Sequence, residues 1–198
     1  MTTSRLSCIR LASASPRRRD LLAGIDIGVE IRPVSIDETP FEDESPEAYV
    51  SRLAHEKASA GHRPGGMPTL GADTAVVRDG EILGKPSSAG HAAAMLHSLA
   101  GRTHEVMTAV AVHGAAGLLS ACVRSRVTLR DIGAEEIEAY WRTGEPADKA
   151  GGYAIQGRGA VFVTHLEGSY SAVVGLPLYE TAELLSRQGV PLWNHPVS

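Results

Sequence analysis

The spacing of apolar positions changes repeatedly along the chain, and each change marks an element. An apolar run from Leu6 to Ala12 predicts a buried strand. Behind it, Ser15 and Pro16 suit the N-cap and first position of a short helix, and Gly24 suits the residue just past its end. Ile27, Val29 and Ile31 alternate as a second strand. Ser45-Pro46 opens a helix to about Ala60, closed by Gly61, with Val50, Leu53, Ala54 and Lys57 on one face. Thr69 to Val77 reads as a buried strand, which Asp79-Gly80 turns into Glu81 to Gly84. Ala92, Met95, Leu96 and Leu99 give Ser88 to Ala100 a helical period, stopped by Gly101. Thr103 to His113 and Leu118 to Leu129 predict two long strands joined by a Gly-Ala-Ala-Gly turn. In the second, Val123, Ser125, Val127 and Leu129 alternate with Arg124, Arg126, Thr128 and Arg130, so one face is wet. Ala134 to Thr143 predicts a short helix, Gly159 to Leu166 a strand, and Leu178 to Gln188 a closing helix. Helices and strands alternating without repeats or linkers indicate a mixed α/β (α+β) chain, read as one domain over 1–198.

Composition narrows the function classes. A length of 198 residues supports one good-sized core, or two lobes sharing a cleft. The formal net charge of -4, with no long basic run, argues against a general nucleic-acid surface. An aromatic content of 5% leaves little for base stacking, which disfavours an RNA-binding module. With no apolar stretch of membrane-spanning length and no signal-peptide pattern, no membrane partner and a cytoplasmic location are expected. Cys8 and Cys122 are too few for a disulfide framework or zinc knuckle and are expected to be buried free thiols.

Five polar clusters interrupt the apolar pattern. Ser13-Ala-Ser-Pro-Arg17-Arg18-Arg19 places three cations in a first helical turn, where the helix dipole and unpaired N–H groups are already positive. Such a turn makes sense if an anion, most plausibly phosphate, docks there. Asp73 lies inside an apolar strand, either at a strand end facing a cleft or buried and paired. Lys57 either reaches past its helix face into a cleft or snorkels along its stem, and Lys85 ends the strand after the hairpin. Gln156, between Ile155 and Gly157, offers a donor and an acceptor that could read a base edge or cap a turn. Together, Arg17, Arg18, Lys57 and Lys85 match a polyphosphate. Glu38 and Asp73 could hold a divalent ion, since magnesium needs only one or two carboxylates plus phosphate oxygens. No Walker A lysine loop, Gly-x-Ser-x-Gly elbow or zinc-like His/Cys cluster is present in the sequence.

With these pieces in order, the chain resembles the Maf family of nucleotide pyrophosphatases. The matching segments are Leu11-Ala-Ser-Ala-Ser-Pro-Arg-Arg18, Arg52-Leu-Ala-His-Glu-Lys-Ala58, Gly71-Ala-Asp-Thr74, Gly84-Lys-Pro86, Gly101-Arg-Thr-His-Glu-Val-Met-Thr108, Asp148-Lys-Ala-Gly151 with Tyr153 to Gly157, and Val174-Gly-Leu-Pro177. The resemblance implies hydrolysis of a nucleoside triphosphate between its α- and β-phosphates. It implies Asp73 as proton acceptor, Ser13, Arg17, Arg18, Lys57 and Lys85 as substrate-binding residues, and Glu38 with Asp73 at a divalent metal (Mg²⁺, Mn²⁺ or Co²⁺), Asp37 being an adjacent rival to Glu38. Arg17, Thr74 and Gln156 fall at positions tied to substrate choice, and residues 148–157 look like the branch acting on dTTP and UTP. A Gln amide suits that choice, because a 4-oxo group beside N3–H presents an acceptor next to a donor. The family fold implied resembles that of inosine triphosphatases, an elongated, bent mixed sheet with flanking helices and a cleft between two lobes, usually as a homodimer. Arg19, beyond the family's arginine pair, is assigned no catalytic role and is expected at the surface. The family is also linked to septum formation, so a nucleotide-sensing regulator acting by binding alone is the alternative reading.

Overall fold

A computed structural model of the chain describes residues 7–193. Seven strands form one mixed sheet: β1 (Ser7–Leu11), β2 (Ile27–Ile31), β3 (Thr69–Arg78), β4 (Glu81–Leu83), β5 (Thr103–Gly114), β6 (Gly117–Leu129) and β7 (Val163–Glu167). Their order is β2-β1-β3-β5-β6-β7, with β4 paired to β3 off that path. β1 runs parallel to β2 and β3, and every other pairing is antiparallel. Among the described residues six helices accompany the sheet: α1 (Pro16–Ala23), α2 (Pro46–Gly61), α3 (Ala89–Leu99), α4 (Ala134–Arg142), α5 (Tyr170–Val174) and α6 (Leu178–Arg187). No helix among the described residues is long and apolar enough to cross a membrane.

The period-2 alternation of β3 divides its side chains between two environments. Ala75 and Val77 face α2, packing with Val50, Ala54 and Ala58. Leu70 and Ala72 face the opposite way, into a cluster with Ile9, Leu11, Leu22, Leu184 and Leu185. Farther along that second face, Val76 joins a separate cluster with Leu96, Leu99, Val127, Tyr140 and Phe162. Thr74 and its ladder partner Thr108 lie between these two clusters, a polar seam between two apolar lobes.

The ladder also opens a gap. β1 pairs with β3 only up to Leu70, whereas β4 pairs with it from Val76 onward. Residues 71–75 therefore have no strand partner on that edge, and a crevice beyond the carboxyl end of a parallel strand is the usual place for a ligand in open α/β sheets. Asp73 and Thr74 occupy this gap.

Several expectations need correction. Leu6, the proposed start of the first strand, lies outside the described residues. The Gly-Ala-Ala-Gly turn is shorter than read, because Gly114 pairs with Gly117 and leaves Ala115-Ala116 as the turn. Residues 158–162 do not extend as a strand but wind as a 3-10 turn (Arg158–Phe162), and β7 begins only at Val163. Cys8 and Cys122 are free, but Cys8 is exposed and Cys122 half-buried. Ile9 and Leu11 take the core face of β1, which leaves Cys8 on the other. The Asp79-Gly80 hairpin forms as expected, with positive φ at both residues (52° and 86°).

Candidate active site

Ser13, Arg17, Arg18, Glu38, Lys57, Asp73, Thr74, Lys85 and Gln156 all line one cavity of about 650 Å³ at the gap in the sheet. They come from the loop after β1, α1, the acidic loop 37–44 between β2 and α2, α2, β3, the exit of β4 and the segment after the 3-10 turn Ala150–Gly152.

Lys57 is the hub of the acidic side. Its ammonium lies 2.6 Å from Glu38 Oε1 and 2.7 Å from Asp73 Oδ1, and the residue is buried. Lys57 sits on the buried face of α2 with Val50, Leu53 and Ala54, and it lines the cavity. Gly71 is what lets α2 approach β3 so closely: a Cβ there would meet Ala54 O and Ala58 N at 2.5 Å each. Asp37 does not line the cavity; its carboxylate accepts from the Thr39 N–H at 2.9 Å. Glu38 is instead the acid that faces Asp73.

Two carboxylate oxygens converging on one ammonium nitrogen form a hard-oxygen pair that a small divalent cation also suits. Among the described residues no group of three or more His, Cys, Asp and Glu side chains gathers as a metal cage. The donor set therefore fits a magnesium-like ion that completes its shell with water and phosphate oxygens, rather than an all-protein site.

Arg18 is held differently. Its Nε donates to Gly175 O at 2.8 Å, and its two terminal nitrogens donate to Ser13 Oγ at 3.2 Å and Thr74 Oγ1 at 3.4 Å. Thr108 Oγ1 donates to Ala172 O at 2.7 Å, so in the 3.0 Å contact between the threonine hydroxyls Thr74 is the donor. The chain runs one way, from Arg18 through Thr74 and Thr108 to the carbonyl of α5. Burial pushes the Arg18 pKa below its ordinary value, with the Asp73 charge opposing that shift.

The helix carrying these arginines has the expected backbone but not the expected cap. Ser15 has extended dihedrals at the N-cap position, yet its side chain makes no cap hydrogen bond. Ser13 Oγ accepts the Ser15 N–H at 3.2 Å, and no acidic residue sits in the first turn. The first turn thus has neither a side-chain cap at its N-cap nor an acidic residue of its own, an arrangement that suits an anion. Arg19 points elsewhere and pairs with Asp20 at 2.8 Å, as a surface residue.

Asp148 and Lys149 also line the cavity; the sequence placed them in the 148–157 segment tied to substrate choice but gave neither an individual role. They pair with each other, and Arg17 lies 3.6 Å from Asp148. The adjacent Asp-Lys within a polar segment was the available signal. The Gly151 N–H donates to Gly84 O at 3.0 Å, tying this segment to the strap that carries Lys85. Lys85 is exposed and has no ion pair among the described residues. Gln156 is exposed at the same cavity.

The Maf-like protein family matches residues 8–188 of this chain. A dTTP/UTP pyrophosphatase of Saccharophagus degradans is 52% identical over 190 residues, covering 93% of this chain and 90% of the relative. A dTTP/UTP pyrophosphatase of Alkalilimnicola ehrlichii is 52% identical over 194 residues, covering 94% and 96%. Among solved structures, a nucleoside-triphosphatase (dITP/XTP pyrophosphatase) of Mycobacterium abscessus overlaps with a TM-score of 0.39 at 18% identity, over 62% of this chain and 72% of that one. A family match across most of the length, joined to relatives half identical over nine-tenths of both chains, makes this chain a member of the Maf family.

Proposed function

We propose that the chain is a nucleoside triphosphate pyrophosphatase acting on dTTP and UTP, cleaving between the α- and β-phosphates to give the monophosphate and pyrophosphate. The observation that carries this reading is the convergence of Arg17, Arg18, Lys57 and Lys85 with Glu38 and Asp73 in one cavity that Gln156 also lines. The names of the relatives support the substrate pair.

In this reading the first turn of α1, Ser13 and the four cations hold the phosphate chain, the arginines by forked contacts and the lysines as point charges. Lys57 exchanges a carboxylate for a phosphate oxygen when substrate enters, which frees Asp73 Oδ1 to accept the proton of the attacking water. Glu38 and Asp73 would together hold a divalent cation. When bound, such a cation supplies charge neutralisation at the phosphate oxygens and acidifies nearby water. Gln156 matches the acceptor-donor edge of a 4-oxo pyrimidine, and a cytosine edge leaves polar groups unpaired. Thr74 already accepts from Arg18 and donates to Thr108, so its influence on substrate choice runs through the placement of Arg18.

Asp73→Asn tests the reading. Pyrophosphate release from UTP is expected to vanish while calorimetry still detects nucleotide binding. Retained turnover removes Asp73 from the mechanism, and orthophosphate as the first product refutes the cleavage point.

A further inference from the structure

The segment that carries Gln156 belongs to no strand or regular helix, yet its backbone is tethered on both sides of that residue. The Tyr140 hydroxyl, on α4, accepts the Ala154 N–H at 3.1 Å and donates to Glu145 Oε1 at 2.7 Å. Glu145 in turn accepts the N–H of Arg158 at 3.0 Å and of Gly159 at 2.9 Å. Ala154, Arg158 and Gly159 therefore all end on one phenol-carboxylate pair. Packing leaves the loop little slack. Gly157 has φ 150°, and a Cβ there would sit 2.5 Å from Glu145 Oε2; one at Gly159 would sit 2.6 Å from Tyr140 Oη. Tyr140 is itself fixed, 5% exposed and edge-on to Phe162 with ring centroids 5.1 Å apart. Burial works against the Glu145 carboxylate, yet the N–H bonds from Arg158 and Gly159 and the Tyr140 hydroxyl hold its pKa below the ordinary value. An ionised acceptor is what three donors require. Neither Tyr140 nor Glu145 lines the cavity.

We propose that Tyr140 and Glu145 are positioning residues for base selection: they fix where the Gln156 amide stands at the cavity without touching the nucleotide. The inference rests on the reading of Gln156 as the base-contacting residue. It deepens that reading by tracing selectivity to a pair outside the substrate's reach.

Tyr140→Phe is the direct test, because it keeps the ring against Phe162 and removes only the hydroxyl. Pyrophosphate release from UTP and CTP gives the selectivity ratio, and calorimetry with inorganic tripolyphosphate reports the phosphate site alone. Loss of the two hydrogen bonds made by this hydroxyl is expected to lower the UTP-over-CTP ratio of kcat/KM by about five- to tenfold. Tripolyphosphate affinity should not change, and amide exchange should quicken at Ala154, Arg158 and Gly159. Glu145→Gln, which cannot accept from all three donors, should act in the same direction. An equal loss for both nucleotides, or a weakened tripolyphosphate site, overturns the proposal in favour of a general structural role. An unchanged ratio overturns it as well. Gln156→Ala run in parallel separates the two levels. If it leaves selectivity intact, the reading of Gln156 fails and the positioning role falls with it. If it removes selectivity while Tyr140→Phe does not lower it, the positioning role alone fails.

Discussion

Replacing Lys57, a buried residue of α2, by methionine keeps an unbranched side chain of similar length and removes the charge. The ammonium sits 2.6 Å from Glu38 and 2.7 Å from Asp73, so the variant leaves two carboxylates facing each other. Removing one partner of a fully buried pair costs about 3–5 kcal/mol. Here the two acids differ: the Asp73 side chain is 13% exposed, whereas that of Glu38 is 57% exposed and can swing into water. One orphaned carboxylate instead of two scales the cost to about 2 kcal/mol. For a chain of this length, each kcal/mol moves Tm by about 2–4 °C, so Tm should fall by about 4–8 °C. Magnesium should then stabilise the variant more than the parent, because the acid pair has lost its internal cation. Thermal denaturation followed by circular dichroism, with and without magnesium chloride, measures both effects. An unchanged Tm would refute the role of Lys57 as counter-ion, and equal stabilisation of both proteins by magnesium would refute the acid pair as the cation's site.

Gly71→Ala places a methyl group against the backbone of α2, and overpacking of this kind costs about 1–3 kcal/mol. Because the helix must retreat to relieve it, Lys57 moves away from Asp73 and kcat should fall by more than the loss of folded protein explains; parent-like kcat would show that the helix does not move. His104 is buried with its Nε2 2.7 Å from the Tyr153 hydroxyl, and burial lowers its pKa to about 4. The unfolded ring titrates near 6.5, so between these values the unfolded chain binds more protons. Stability from this group is complete above about pH 6.5 and is lost as pH falls towards 4, by on the order of 3 kcal/mol. His104→Gln should flatten the acid limb of a urea-denaturation pH profile, and parallel profiles for variant and parent would count against it.

The features legible in the sequence are those set by short-range periodicity. The spacing of Val50, Leu53, Ala54 and Lys57 puts them on one helix face, and all four are buried there. Asp79-Gly80 makes its hairpin because the turn needs positive φ at both residues. The strand expected over Gly159 to Leu166 fails in its first four residues for a long-range reason. Its apolar run suggests a strand, but Glu145 takes the N–H groups of Arg158 and Gly159, and the segment winds with Phe162 inward and Val161 67% exposed. No local pattern in the run encodes a carboxylate earlier in the chain. The five residues of α5 are too few to show a helical period. Within the site, residue types and positions were readable one cluster at a time, while the pairing of Arg18 with Gly175 joins opposite ends of the chain. Asp148 and Lys149 have no individual role legible in the sequence, because only the closed fold brings Asp148, paired with Lys149, to Arg17.

Two cations of the cavity, the buried Lys57 and the half-buried Arg18, are kept in different electrical states. Lys57 is neutralised outright by carboxylates, and a ligand must displace them to use its charge. The direct partners of Arg18 are neutral dipoles, the Gly175 carbonyl and the Ser13 and Thr74 hydroxyls, with Thr74 and Thr108 donating away from it. Aligned dipoles solvate a charge without cancelling it, much as water does, but they are already oriented and need not reorganise when an anion arrives. In the proposed function Arg18, with no salt bridge among the described residues, therefore meets incoming phosphate without displacing a carboxylate. Long-range attraction of a polyanion should depend on Arg18, and Lys57 should matter only after contact.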